Sequence, residues 1–197
     1  DQPRSRGLGD VYKRQTIYET KRLILQVLDN TAAVPVLSFY SEGRQTFEPV
    51  EADKNPNFYT LDYQSACLYA EYSAFMHGTY MRYFWKLKDA PDTIIGTASF
   101  SNIQRGIYNS CTIGYKLLPQ FWHNGYAIEA ISRLIEAIFT DANLHRIDAY
   151  TLPDNFRSMS LLTRLGFEYE GLSRSLVYMR GRYRDHRHYS LIDMRGV

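Results

Sequence analysis

The chain has only two cysteines, Cys67 and Cys111, in 197 residues. Their number and separation give neither a disulfide framework nor the paired spacing of a metal site, so no metal is expected. No window offers the ~18 consecutive apolar residues of a membrane span, and no helical membrane segment is expected either. A surplus of one charge is also missing. The formal net charge is +2, but Arg4, Arg6, Lys13 and Arg14 outweigh Asp1 and Asp10 in the first fifteen residues, and the chain beyond Gln15 holds 19 basic and 19 acidic side chains. A globally basic, nucleic-acid-seeking surface is therefore not supported. There is no internal repeat, low-complexity tract or interdomain linker. The expectation is a cytoplasmic protein with no membrane partner and no direct nucleic-acid partner.

What is present bounds the fold. A chain of 197 residues that is 45% hydrophobic can bury one substantial core but is not obviously long enough for two ordinary domains. Residues 1–15 carry no apolar run and no helical or strand period, so they read as a leader foreign to the fold, either a disordered tail or an assembly remnant. The domain is expected over 16–197. A strand near Arg22 to Gln26 precedes a helix from about Ala32 to Ser41 and a polar, acidic loop. A second helix is expected over Leu61 to His77, then strands Met81 to Lys88 and Thr93 to Ser101 around the turn Asp89-Ala90-Pro91-Asp92. Val177 to Tyr183 and His186 to Ile192 read as late strands beside a turn near Gly181. The sum is an α/β domain, a mixed central sheet flanked by helices.

The most informative stretch is Leu117-Leu118-Pro119-Gln120-Phe121-Trp122-His123-Asn124-Gly125-Tyr126-Ala127. An apolar strand, Cys111 to Leu118, runs through a short polar loop into an amphipathic helix in which Ala127, Ile131, Leu134, Ile135, Ile138 and Phe139 recur at helical spacing. The first N–H groups of a helix lack internal partners, and its dipole places partial positive charge at the same end. A pyrophosphate can accept those bonds. Gly125 and Ala127 leave the approach unobstructed. A plain strand-to-helix connection is the competing reading.

A second segment adds to this one. His145 to Tyr150 alternates as a strand, Asn155 and Ser158 open a short helix, and Leu165-Gly166-Phe167 closes it before another strand. In order and spacing the chain resembles the GNAT N-acetyltransferase superfamily. Ser101-Asn102-Ile103-Gln104-Arg105-Gly106, Ile113-Gly114-Tyr115, Leu144-His145-Arg146-Ile147, Asn155-Phe156-Arg157-Ser158, Arg164-Leu165-Gly166-Phe167-Glu168 and Arg184-Asp185-His186 are together similar to its ribosomal-protein alanine N-acetyltransferase branch, over roughly Ile17 to Ile192. The resemblance implies a single GNAT acyl-CoA N-acyltransferase fold. It also implies an acetyl-CoA-dependent transfer to an amine, such as the N-terminal α-amino group of a ribosomal protein. On it, Leu117 and Leu118 present strand backbone to the pantetheine arm, and the N–H groups of His123, Asn124, Gly125, Tyr126 and Ala127 take the pyrophosphate. Asn155 then holds the arm through its amide, and Ser158 relays a proton to the departing sulfur. For Asn155 and Ser158, helix capping is the alternative.

The chain departs from the family loop at His123, where glycine is usual, and at Asn124, where a basic residue is frequent. His123 beside the pyrophosphate is in the wrong place for a base acting at the acetyl end. No carboxylate stands out as that base, and the acidic segment Glu42, Glu48, Glu51, Asp53 and Asp62 reads either as a cation attractor or as a solvated loop. The basic cluster Arg174, Arg180, Arg182, Arg184 and Arg187, interleaved with Tyr178 and Tyr183, reads either as a contact for RNA or an acidic partner or as solvated strand edges guarded by charge. Cys111 reads as buried and inert, and Asp185 with His186 as an orienting pair. Two other functions stay open: a small-molecule amine acetyltransferase, and a coenzyme A-binding sensor or assembly factor without turnover.

Overall fold

In the computed structural model, which describes residues 15–196, eight strands form one sheet in the order β1-β2-β3-β4-β5-β6-β8-β7. The strands are β1 (Ile17–Glu19), β2 (Leu23–Gln26), β3 (Met81–Leu87), β4 (Ala90–Gln104), β5 (Ser110–Leu117), β6 (Arg146–Thr151), β7 (Glu168–Met179) and β8 (Arg182–Ile192); the helices are α1 (Ala33–Phe47), α2 (Leu61–His77), α3 (Tyr126–Thr140) and α4 (Phe156–Arg164). Every neighbouring pair is antiparallel except β5 and β6. Parallel neighbours need a long crossover, and the segment carrying α3 supplies it.

Strand alternation divides the core into two layers. Tyr83 and Trp85 of β3 join Ile131, Leu134 and Ile138 of α3 on one face. Phe84, between them in sequence, turns to Val36 and Phe39 of α1 on the other. The sheet is thus filled from both sides, which fixes β5 and β6 in its middle. Gly96 permits the tight packing around β5: a Cβ there would lie 2.4 Å from the Trp85 ring and 2.7 Å from the Lys116 carbonyl oxygen. Across β6, β8 and β7, Arg146 reaches Asp148 (2.7 Å) and Glu170 (2.6 Å), and His188 lies 2.7 Å from Asp148.

Several element boundaries differ from the sequence reading, among them β8, which begins at Arg182 and not at His186. Helix α1 runs on to Phe47 because Phe47 continues its apolar face, with its ring 5.5 Å from that of Phe39. Strand β4 begins at Ala90, since a register irregularity near Leu87 accommodates Pro91 inside the strand. The expected strand Val177 to Tyr183 is cut in two. Arg180 and Gly181 both take positive φ, 52° and 77°, and form the two-residue turn between β7 and β8. The expected leader lies outside the described residues except for Gln15, whose carbonyl accepts from the Tyr83 hydroxyl (2.9 Å).

Candidate active site

The site begins where two parallel neighbours part. Strands β5 and β6 pair from Ser110 with Arg146 to Ile113 with Ala149, yet β5 continues to Leu117 and β6 to Thr151. The divergence opens a cleft of about 910 Å³, lined among others by Leu117, Trp122, Gly125, Asn155, Ser158 and Glu51. Leu118 donates its N–H to the Ile95 carbonyl of β4 (2.9 Å). By the two-residue alternation of an antiparallel ladder, the N–H of Leu117 therefore points the other way, into the gap. The Leu117 carbonyl is engaged, accepting from the Trp122 indole N–H (2.9 Å). Of the two leucines expected to present backbone, only Leu117 does so. Leu118 is fully buried, with its N–H committed to the sheet.

At one end of the cleft lies the loop into α3. Gly125 is the N-cap, at φ 79°, and no side chain caps the helix. The N–H groups from His123 to Ala127 have no protein acceptor among the described residues. Together with the helix dipole these free donors suit an anion. His123 stands at φ 61°, a left-handed conformation that favours glycine, which is why a glycine is the residue expected there. Arg22, from the turn between β1 and β2, braces the loop. It donates to the Asn124 carbonyl (2.9 Å), pairs with Glu129 (2.7 Å) and lies over the Tyr126 ring.

Across the gap, α4 starts with Asn155 as N-cap, its Oδ1 accepting from the Ser158 N–H (3.2 Å). The cap uses Oδ1 and not the Nδ2 donor, so capping does not exclude a ligand contact by the same amide. The Ser158 hydroxyl lies 2.8 Å from the Tyr115 hydroxyl. Tyr115 is a residue whose role sequence reasoning missed. Burial pushes its pKa up to about 12, so it stays protonated at neutral pH.

On the α1 side the cleft meets Glu51, which contacts both Lys116 and Lys54. Burial raises the Glu51 pKa, but the two ammonium groups outweigh this and hold it below the ordinary carboxylate value. It is an ionised, occupied carboxylate and no free base. Three other members of the acidic segment are engaged as well: Glu42 with Gln120, Glu48 with Arg44, and Asp53 with the Arg180 N–H (2.9 Å). His186 is 7% exposed and lines the cleft, while Asp185 accepts from the Ser175 N–H (2.7 Å). Cys111 is 1% exposed, and its thiol pKa is pushed up to about 12 by burial first and by Asp148 second, which leaves it inert at neutral pH. Asp148, Glu170 and His188 bring possible ligand atoms within 4.8 Å of one another, but Arg146 already bonds both carboxylates. Among the described residues no helix is long and apolar enough to cross a membrane.

The chain that builds this cleft matches a known family. Residues 22–168 fit the family model described as an acetyltransferase (GNAT) domain. The chain belongs to the GNAT acetyltransferase family. It is 31% identical over 173 residues to the [ribosomal protein uS5]-alanine N-acetyltransferase of Escherichia coli (strain K12), covering 85% of this chain and 86% of that protein. The crystal structure of the ribosomal-protein-S5-alanine acetyltransferase from Vibrio fischeri superposes with a TM-score of 0.86 at 26% identity, covering 92% and 98% of the two chains. RimJ of Mycobacterium smegmatis, in complex with CoA-disulfide, gives 0.83 at 22% identity over 90% and 87%. This GNAT protein is an acetyl-CoA-dependent N-acetyltransferase.

Proposed function

We propose that this acetyltransferase modifies the α-amino group at protein N-termini, with ribosomal proteins as the acceptor class. The N–H groups of His123 to Ala127 hold the pyrophosphate, while the Leu117 N–H and the Asn155 amide hold the pantetheine arm. The thioester carbon then lies in the gap between β5 and β6. A neutral amine attacks it, the C–N bond forms as the C–S bond breaks, the amine releases its extra proton to water, and the Ser158 hydroxyl relays a proton to the departing thiolate, taking one back from that water.

The observation that carries the acceptor class is the state of Glu51, the carboxylate on the α1 side of the cleft, which two lysines occupy. A lysine acceptor with pKa ~10.4 is neutral in fewer than one molecule in a thousand at pH 7, and needs a strong base. An α-amine with pKa ~7.7–8.0 is neutral in roughly a tenth of molecules, and needs little help. The similarity to alanine N-acetyltransferases over most of the chain supports the same class.

Thiol release from acetyl-CoA measured against peptides with free N-terminal Ala or Ser, acetyl-capped lysine peptides and small amines tests this. Turnover confined to free N-termini is the expected result. Activity only on small amines would replace the proposal with a small-molecule acetyltransferase, and coenzyme binding without thiol release would replace it with a sensor.

A further inference from the structure

Two guanidinium groups flank the loop into α3, and they differ in what holds their charge. Arg22 is paired with Glu129 at 2.7 Å, so its charge is neutralised and it serves as a brace. Arg157, the second residue of α4, makes no ion pair among the described residues and lies over the Trp122 ring, 3.4 Å from the centroid. Trp122 is itself fixed through its indole N–H to Leu117. A guanidinium stacked on an indole keeps its N–H donors pointing outward in its own plane, where a phosphate can take two at once. Arg157 and the loop line the same cleft. From Pro119 to Ala127 the loop has no Lys or Arg.

We infer that Arg157 supplies, from α4, the cation for the coenzyme pyrophosphate that the loop itself lacks. Trp122 is the platform that holds the guanidinium at the loop. This rests on the reading that the N–H groups of His123 to Ala127 hold the pyrophosphate. The loss of a basic residue at Asn124 is then a relocation of charge from the loop to the facing helix. Arg157 acts on the phosphate end of the donor and takes no part in the acyl transfer one residue away at Ser158.

The test compares wild type and Arg157→Gln with two donors: acetyl-CoA, and S-acetyl-pantetheine, which keeps the thioester and arm but has no phosphate. A charge-assisted hydrogen-bond pair lost to the phosphate predicts a rise of about tenfold or more in KM for acetyl-CoA. The kcat should stay within about twofold, and KM for S-acetyl-pantetheine should not change. Turnover of the phosphate-free donor also shows that the variant is folded. An equal loss with both donors, or no change with acetyl-CoA, overturns the inference. If wild type itself uses both donors with equal KM, the phosphates contribute nothing and the pyrophosphate reading falls first.

Discussion

Replacing Tyr115 with Phe removes one hydroxyl and little else, which makes it a sharp probe of Ser158. The two hydroxyls are 2.8 Å apart, and the Tyr115 hydroxyl also lies 3.3 Å from the Ser158 carbonyl. A neutral hydrogen bond of this kind contributes about 1 kcal/mol net to stability. For a chain of this size that lowers the melting temperature by about 2–4 °C. On the proposed mechanism the same bond orients the Ser158 O–H toward the departing sulfur, so its loss should lower kcat by about three- to tenfold, at 1.4 kcal/mol per tenfold. KM for acetyl-CoA should hold. Ser158→Ala, which removes the proposed proton donor outright, should lower kcat by about 10² or more. The decisive readout is the double variant. If Tyr115 acts only by positioning Ser158, adding Tyr115→Phe to Ser158→Ala changes kcat no further, as measured by thiol release against an N-terminal alanine peptide. Losses that multiply would refute the positioning role, and so would a Tyr115→Phe defect confined to KM.

The same geometry gives two further expected outcomes. Hydrogen bonds from Arg146 first and Ser190 second lower the Glu170 pKa to about 2 from 4.5; its contribution to stability is therefore complete above about pH 4.5 and lost as pH falls toward 2. Glu170→Gln should flatten that acid limb in a thermal-melt series by about 1 kcal/mol, a figure reduced for solvent screening of a side chain 37% exposed. At His123, held at φ 61°, glycine should melt at or above the wild-type temperature, whereas valine should cost about 1–2 kcal/mol; a valine variant as stable as wild type would show that the loop relaxes freely.

Much of the fold was legible because it is local. The helix at Tyr126, the strand before it, and the Asn155 and Ser158 pair all announce themselves within a few residues, through periodicity and capping chemistry. Tyr115 was within reach too, since it sits two residues from Leu117 and a strand returns every second side chain to the same face. Arg22 was not legible. Its partners Asn124 and Glu129 lie more than a hundred positions away, and only the finished sheet brings the turn between β1 and β2 to the start of α3. Glu51 was legible as a charge but not as a neutralised one, because that depends on Lys116 arriving beside it from β5. The turn near Gly181 was legible, but the strand Val177 to Tyr183 was read through it because arginine, here Arg180 at φ 52°, rarely takes positive φ. There, Asp53 accepts the Arg180 N–H and the Arg180 guanidinium donates to the Glu48 carbonyl (3.3 Å), tying the turn to the far side of the cleft.

The parting of β5 and β6 gives this sheet an edge in its interior. Most sheets end at two outer strands, which must be guarded against pairing with other chains. Here unpaired backbone also lies along Gly114 to Leu117, between two strands and along the wall of the cleft that Asn155 and Ser158 line from the other side. A whole protein cannot dock there. A narrow chain bearing amides can, laid in as a short artificial strand. On the proposed function, selectivity for a thin, extended, amide-rich donor begins with a break in sheet continuity, before any side chain has made a contact.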